Sequence, residues 1–215
     1  MKTKVYLIRH GHTAGTDAGL MYGATELPVT EEGLAEIREK AAAGIYPDPD
    51  GAALYTSGML RAEQSFEAIY GDAEHSVAPL IREINLGRFE MMTIDEIAED
   101  EYGRQWLSGK IKDPHFEGGD SVSGFFERTQ RGMREIVDEC FEKLIERAIV
   151  VFHGAAISSI MYGLFPDTYD NSLEWTPSPG NGIAVTFEDK RPVSWEYIGE
   201  SDNEWIRDLK GRSEE

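Results

Sequence analysis

The sequence predicts a three-layer α/β/α sandwich whose central sheet is mainly parallel. Strand-like and helix-like segments alternate along the 215 residues, and most are joined by long connections rather than hairpin turns. Hydrophobic residues make up 40% of the chain, enough for a buried core despite a net charge of −19. Because no shift in composition divides the chain, we expect residues 1–215 to form a single domain.

The first half of the chain supplies strands and helices in turn. Val5 to Ile8 is a short apolar run that predicts a buried strand. Thr30 to Ala43 predicts a helix, with Thr30 as its N-cap and Gly44 as its end. The other elements predicted here are a strand over 52–56, a helix over 59–70 with Leu60 in the core, and an extended segment over 76–79.

The second half continues the alternation after an insertion. Residues 91–120 predict an irregular helical insertion with a strongly acidic surface. The elements predicted after it are a long helix over 121–144, a buried strand over 149–152, a helix over 155–163 and two strands over 183–187 and 193–197. The polar tail from Gly199 is expected to dock through Trp205.

Composition and charge exclude several classes of protein. The longest apolar run, Ala148 to Phe152, is far shorter than the roughly 20 residues of a membrane helix. The N-terminal apolar stretch is too short for a signal peptide, so we expect a cytoplasmic protein. The net charge of −19 argues against nucleic acid or an anionic membrane as a partner. Cys140, the single cysteine, forms no internal disulfide.

Two predicted strands end in the same dipeptide, His10-Gly11 and His153-Gly154. Ligands of open α/β sheets bind outside the carboxyl ends of the strands. If the two strands are neighbours, both histidines lie in one crevice, and each glycine lets the backbone approach a ligand closely. The alternative is a purely structural role, in which two unrelated histidines end strands as hydrogen-bonded boundary residues.

A series of motifs decides between these alternatives. They are Arg9-His10-Gly11-His12-Thr13, Gly23 to Gly33, Ser57 to Ser65, Ile81 to Gly87, Gly118-Gly119-Asp120-Ser121, Val150 to Gly154, and finally Asn181. In this order they resemble the histidine phosphatase superfamily, the phosphoglycerate mutase-like family in its Arg-His-Gly branch. The resemblance covers about residues 4–187 and implies a phosphoglycerate mutase-like fold.

The resemblance also implies a role for each matching residue. His10 is the expected nucleophile and forms a phosphohistidine. Arg9 and Arg61 are expected to grip the phosphoryl oxygens with their fork-shaped donors, and His153 adds a further donor. Glu83 is expected to protonate the leaving oxygen and then deprotonate water.

Some positions leave the assignment open. Glu90 and Glu32 compete with Glu83 for the role of the acid. Thr16 stands where the family often has an asparagine that holds phosphate. Either Thr16 donates one hydroxyl to phosphate, or the loop from Ala14 to Met21 has a different shape. Phe152 replaces a common serine or threonine and is expected either to enter the core or to crowd the pocket. We expect no cofactor and no metal, since His10-Gly11-His12 has no cysteine or carboxylate at ligand spacing.

The insertion favours one activity within the family. Mutases are similar in carrying extra basic residues in a longer insertion, whereas residues 91–120 are short and net acidic. We therefore expect a phosphatase acting on small phosphorylated metabolites, of broad specificity or resembling the α-ribazole phosphatases. The alternatives are a cofactor-dependent phosphoglycerate mutase and a phosphate-binding or protein-interaction module without turnover. The sequence indicates no oligomeric state.

Overall fold

The structure is a computed structural model, and it describes residues 1–199. The predicted docking of Trp205 lies outside the described residues. Within them, no helix combines the length and the apolar character needed to cross a membrane.

A six-stranded sheet forms the middle layer. The strands of the described residues are β1 (Lys2–Arg9), β2 (Leu20–Met21), β3 (Ala53–Thr56), β4 (Ser76–Val77), β5 (Met92–Thr93), β6 (Arg147–Phe152), β7 (Gly182–Glu188) and β8 (Arg191–Ile198). The order in the sheet is β4-β3-β6-β1-β7-β8, while β2 and β5 form a separate pair. The pairs from β4 to β1 are parallel, and β7 is antiparallel to both of its neighbours. The mainly parallel sheet is thus confirmed.

Helices cover both faces of this sheet. They are α1 (Ala14–Asp17), α2 (Glu31–Ala42), α3 (Leu60–Tyr70), α4 (Ile94–Glu99), α5 (Glu101–Leu107), α6 (Val122–Glu142) and α7 (Gly154–Leu164), with 3-10 turns at Pro79–Ile81, Gly87–Phe89 and Ser172–Trp175. The predicted N-cap of α2 is present, since the Thr30 side chain accepts from Gly33 N–H.

Alternating side chains of the central strands pack into two hydrophobic cores, one on each face of the sheet. Val5 and Leu7 of β1 join a cluster with residues of α6 and α7, whereas Ile8 joins a cluster with Ile37 of α2 and Phe66 of α3. This follows from the two-residue period of a strand, which sends neighbouring side chains to opposite faces. The sheet is therefore buried on both sides, as a three-layer sandwich requires.

The acidic insertion folds on a small core of its own. Phe89, Phe116 and Ile97 are buried together, and Trp106 packs edge-on against Phe116 with ring centroids 4.7 Å apart. The helices α4 and α5 expose their acidic side chains around this aromatic cluster. The predicted helical insertion is present, with two short helices rather than an irregular one.

Some local expectations were wrong. Leu60 is 42% exposed, and the fully buried residue is its neighbour Met59, at the N-cap of α3. The strand β1 begins at Lys2 rather than Val5, because antiparallel pairing with β7 continues as far as Glu188. Of the two expectations for Phe152, the core is correct, since its side chain is fully buried in the cluster with α6 and α7.

Candidate active site

The two strand-end histidines lie side by side. β1 and β6 pair in parallel with Arg9 opposite Phe152, so both chains leave the sheet at the same edge. The ring centroids of His10 and His153 are 5.4 Å apart, and the backbone N–H of His10 donates to the carbonyl of Phe152 over 3.0 Å. This spacing lets both rings reach one phosphoryl group.

The ring of His10 is held in one tautomer. Its Nδ1 lies 2.8 Å from the carbonyl oxygen of Gly11. Since a carbonyl oxygen only accepts, the neutral ring carries its proton on Nδ1 and its lone pair on Nε2. The Nε of Arg61 donates to this Nε2 over 3.1 Å. Nε2 is therefore the nitrogen available as a nucleophile.

Arg61 is fixed through all three of its nitrogens. Its side chain is fully buried in the first turn of α3. Besides the bond to His10, Nη1 donates to the carbonyl of Thr25 over 2.9 Å, and Nη2 donates to the carbonyl of Gly23 over 2.7 Å. The rigid fork of a guanidinium group fits these acceptors, and the point charge of a lysine does not. The 23–25 loop therefore sets the position of this cation.

Arg9 leaves a buried donor without a partner. Its Nη1 donates to the carbonyl of Pro177 over 2.8 Å, while the buried Nε has no hydrogen-bond partner within residues 1–199. A Cβ at Gly154 would lie 3.0 Å from that Nε, so the glycine after the second histidine leaves room for the Arg9 side chain. A buried guanidinium nitrogen with no acceptor points to an anion that supplies one.

His153 is oriented by a serine at the end of a third strand. Its Nε2 lies 2.7 Å from the Ser57 hydroxyl, which also accepts from the N–H of Met59. The buried Nδ1 of His153 has no partner among the described residues. When the Ser57 hydroxyl donates to Nε2, the ring proton sits on Nδ1, which is then a donor. No role was predicted for Ser57, although it follows β3 just as His10 follows β1.

Glu83 lies against the start of α7. The side chain is 9% exposed. One oxygen accepts from the N–H of Ile84 (2.9 Å) and the other from the N–H of Ala155 (3.0 Å), two residues beyond His153. Burial raises the pKa of this carboxyl above its usual value, although these N–H groups and Arg61 oppose the rise. A raised pKa suits a group that must give up a proton.

Both histidines are kept neutral. Burial, followed by the charges of Arg61 and Arg9, holds the pKa of His10 well below its ordinary value. Burial and Arg61 likewise hold the pKa of His153 well below its ordinary value. The two histidines are surrounded by cations and shielded from water, which disfavours imidazolium. His10 therefore keeps its lone pair at neutral pH.

The competing acids have other surroundings. Glu32 is exposed in the first turn of α2. Glu90 accepts hydrogen bonds from the N–H groups of Gly23, Ala24, Thr25 and Leu86 and from the Thr25 hydroxyl. Burial raises its pKa, but these hydrogen bonds outweigh burial and lower the pKa below its usual value. Glu90 therefore stays ionised, which disfavours it as a proton donor.

Thr16 is engaged by a tyrosine. It lies in the single turn of α1, and its hydroxyl is 2.7 Å from the Tyr22 hydroxyl. The Thr13 hydroxyl donates to the same Tyr22 oxygen over 2.7 Å. The Tyr22 ring in turn packs against Arg61, with 5.2 Å between guanidinium carbon and ring centroid. The contact of Thr16 with phosphate stays a prediction. Tyr22 was missed because a lone tyrosine carries no motif.

Asn181, from the last of the motifs, and two arginines next to the Glu83 segment have different surroundings. The backbone carbonyl of Asn181 accepts from the N–H of Arg9 (2.9 Å), so Asn181 supports the end of β1. Arg82 is half-exposed and pairs with Glu26 at 3.3 Å. Arg88, in contrast, forms a two-pronged ion pair with an aspartate of the insertion. Within residues 1–199, no group of three or more His, Cys, Asp or Glu side chains is arranged to hold a metal ion.

Known proteins share this arrangement of sequence and fold. The sequence pattern of the histidine phosphatase superfamily (branch 1) matches residues 5–197. A probable phosphoglycerate mutase of Erwinia tasmaniensis is 30% identical over 163 residues, which are 74% of this chain and 73% of the relative. The crystal structure of phosphoglycerate mutase from Thermus thermophilus has a TM-score of 0.65 and 26% identity, covering 92% of this chain and 99% of that chain.

A further solved structure supports the fold alone. It is a candidate α-ribazole-5′-P phosphatase from Escherichia coli, with a TM-score of 0.78 and 18% identity, covering 93% of this chain and 97% of that chain. The match over residues 5–197 takes in both strand-end histidines and the segments of Arg61 and Glu83. From this match we conclude that the chain belongs to the histidine phosphatase superfamily, branch 1.

Proposed function

We propose that this protein is a phosphatase that hydrolyses small phosphomonoesters through a phosphohistidine on Nε2 of His10. One observation carries the proposal. The lone pair of that nitrogen belongs to a ring flanked by two residues whose buried nitrogens have no partner among residues 1–199: Arg9, which precedes it and leaves Nε unpaired, and His153, whose ring centroid lies 5.4 Å away and which leaves Nδ1 unpaired. A phosphoryl group supplies both the electrophile for the lone pair and the acceptors for the donors.

The first half-reaction transfers the phosphoryl group to the enzyme. The Nε of Arg61 exchanges its bond with His10 for one to a phosphoryl oxygen, which frees the lone pair of Nε2. A bond forms from Nε2 to phosphorus while the bond from phosphorus to the ester oxygen breaks. Glu83 gives its proton to the departing oxygen, and Arg9, Arg61 and His153 stabilise the charge on the transferring group.

The second half-reaction returns the enzyme to its starting state. Glu83, now a carboxylate, takes a proton from water as that water attacks phosphorus. The bond from phosphorus to Nε2 breaks and inorganic phosphate leaves. A raised pKa favours both steps, because it helps Glu83 to hold the proton needed for the first and makes its carboxylate a stronger base for the second.

The surroundings of the site favour a small monophosphate. Two arginines near the acidic insertion are occupied elsewhere, since Arg88, just before it, pairs with Asp100 at 2.7 and 2.8 Å, and Arg104, within it, donates to the carbonyls of Ala98 and Glu99. They offer no cluster for a second anionic group of the substrate. Together with the net charge of −19, this favours a small phosphorylated metabolite over nucleic acid.

The second candidate is phosphoglycerate mutase activity. It is favoured by the name of the relative from Erwinia tasmaniensis, a probable phosphoglycerate mutase. A mutase must return the phosphoryl group from His10 to its substrate faster than water removes it. The two activities therefore share the phosphoenzyme and differ in its fate.

Two assays separate the candidates. The first measures phosphate release from a generic aryl phosphate, followed by a screen of phosphorylated metabolites. The second measures conversion of 3-phosphoglycerate with and without 2,3-bisphosphoglycerate. We expect phosphate release in the first assay and no conversion of 3-phosphoglycerate in the second. Conversion without net release would establish the mutase, whereas phosphate binding without a phosphoenzyme would leave a binding module.

A further inference from the structure

We propose that Glu90 is a positioning residue that holds Arg61 against His10 by fixing the backbone of residues 23–25. This inference deepens the proposed phosphoryl transfer, on which its kinetic readout rests. Glu90 touches neither histidine. It acts through the loop whose carbonyls hold Arg61.

The carboxylate of Glu90 gathers the N–H groups of one loop. One oxygen accepts from Ala24 N–H (2.9 Å), and the other accepts from Gly23 N–H (3.0 Å) and Thr25 N–H (3.1 Å). The Thr25 hydroxyl adds a bond of 2.6 Å. Three successive N–H groups that converge on one anion form a rigid turn, because any rotation of the loop breaks several charge-assisted bonds together.

The opposite face of the same loop holds Arg61. The carbonyls of Gly23 and Thr25 accept from Nη2 and Nη1 at 2.7 and 2.9 Å. The same two residues therefore donate to Glu90 and accept from Arg61. Residues 23–25 therefore lie between the Glu90 carboxylate and the Arg61 guanidinium group. A shift of Glu90 would move these peptide groups and, with them, Arg61.

Glu90 also ties this loop to the segment of the acid. It accepts from the N–H of Leu86 over 2.9 Å, three residues after Glu83. A Cβ at Gly23 would lie 1.7 Å from the carbonyl oxygen of Ile84, so the loop lies directly on that segment. Glu90 thus links the loop that holds Arg61 to the segment that carries Glu83.

A carboxylate suits this role better than an amide. Five donors meet its two oxygens, and these bonds lower the pKa of Glu90, so the charge persists at neutral pH. Glutamine has one acceptor oxygen, and its NH₂ group would face backbone N–H donors. Glu90→Gln therefore releases part of the loop while nearly conserving volume.

The titration of His10 reports this role directly. The charged or titratable groups that face His10 are Arg61, Arg9, His12 and His153. If the loop loosens, Arg61 moves away from Nε2 and its contribution to the depressed pKa of His10 declines. The pKa of His10 then rises toward its ordinary value. A residue that served stability alone would lower the melting temperature without moving this pKa.

The experiment compares Glu90→Gln with Glu96→Gln. Glu96 is a matched control, because it also accepts from a backbone N–H and a hydroxyl, both of Thr93, but lies at the start of α4. The His10 ring is followed by NMR in the enzyme without substrate and assigned by its loss in His10→Ala. We expect Glu90→Gln to raise the pKa of His10 by about half a unit or more and to lower kcat/KM for an aryl phosphate by about 10- to 100-fold. Glu96→Gln should change neither.

The outcomes distinguish failure of the positioning role of Glu90 from failure of the proposed phosphatase function. An unchanged pKa of His10 in a folded Glu90→Gln protein would overturn the positioning role. If that variant does not fold, Thr25→Val removes only the hydroxyl bond to Glu90, and the pKa of His10 must still rise. No rise there also overturns the role. A raised pKa in a protein without phosphatase activity would support the role of Glu90 and count against the proposed function instead.

Discussion

The Nε of Arg61 lies 3.1 Å from Nε2 of His10 and donates to it. A cation that donates to the attacking lone pair keeps that nitrogen unprotonated and holds it in place. In the proposed mechanism this bond is exchanged for one to the substrate before attack. The phosphate would then replace His10 as the acceptor of Arg61, and substrate binding would release the nucleophile.

Replacing His10 tests where the phosphoryl group is held. His10→Ala should abolish covalent labelling by a radioactive phosphate ester and lower turnover by several orders of magnitude. In the unchanged enzyme the label should survive base and be lost in acid, as a phosphoramidate is. His12→Ala, at the half-exposed neighbouring ring, is the control and should still be labelled. Label that persists in His10→Ala would place the nucleophile elsewhere.

Replacing Glu83 tests the proton transfer. Glu83→Gln should lower kcat for an alkyl phosphate by about 10²- to 10⁴-fold. The loss should be smaller for a nitrophenyl phosphate, whose leaving oxygen needs little protonation. Glu32→Gln, at the exposed competing carboxyl, should leave both rates unchanged. Equal losses for the two esters in Glu83→Gln would show that the residue does not protonate the leaving group.

The depressed pKa of His153 predicts how stability depends on pH. Because its pKa is lowered in the folded state, the unfolded chain binds the extra proton as pH falls below about 6.5. Stability is therefore fully present above that pH and is lost progressively below it. Between pH 7.5 and 5.5 the free energy of unfolding, measured by urea denaturation, should fall by about 1 kcal/mol more in the wild-type protein than in His153→Gln. Equal losses would contradict the depressed pKa. The carboxyl groups titrate in both proteins, so their effect cancels in this comparison.

Leu144 offers a test of backbone strain. It follows the last residues of α6 with φ of +56° and is 76% exposed, while the next residue, Ile145, donates to the carbonyl of Cys140 (2.8 Å). This is a helix end that favours glycine. Leu144→Gly should raise the free energy of unfolding by about 1 kcal/mol. Leu144→Ala, which keeps the Cβ, should not. A gain of the same size in both variants would assign the effect to loss of the exposed side chain.

The charge around the site predicts substrate preference. Arg82, the half-exposed arginine beside Glu83, is paired with Glu26 at 3.3 Å. We expect higher kcat/KM for a phosphate ester with a neutral tail than for a bisphosphate of similar size. Salt should narrow the difference, since exposed charges are screened over about 8–10 Å. Glu26→Gln removes the partner of Arg82, which is then available to a second phosphate. This variant should also reduce the difference in kcat/KM between the two esters. A consistent preference for the bisphosphate would move the mutase ahead of the phosphatase.

Much of the site could be predicted from local rules. His10 and His153 each end an apolar run, and the carboxyl ends of parallel strands share one edge of the sheet. The same rule applied to β3 would have indicated Ser57, which bonds to His153. The N-cap of α2 could also be predicted locally. Thr30 caps this helix by accepting from the N–H of Gly33, only three residues further along the chain.

The exposure of Leu60 shows where local rules fail. The helical pattern over 59–70 identified α3 but placed Leu60 in the core, whereas Met59 occupies the buried position. Which residue at a helix end is covered depends on the neighbouring elements, and the sequence of the helix alone does not contain them. Thr16 is a similar case, because its bond partner Tyr22 is determined by the path of the loop.

The chain sequence by itself determined the alternation of strands and helices, the family, and the histidines at the strand ends, because each depends on periodicity or on short motifs. Only the tertiary structure distinguished Glu83 from Glu90. Both are glutamates of one short segment. Glu83 is buried at the N-terminus of α7 and meets Ala155 N–H, whereas Glu90 meets the N–H groups of residues 23–25. Burial raises one pKa and hydrogen bonds lower the other, and both effects come from segments distant in the chain.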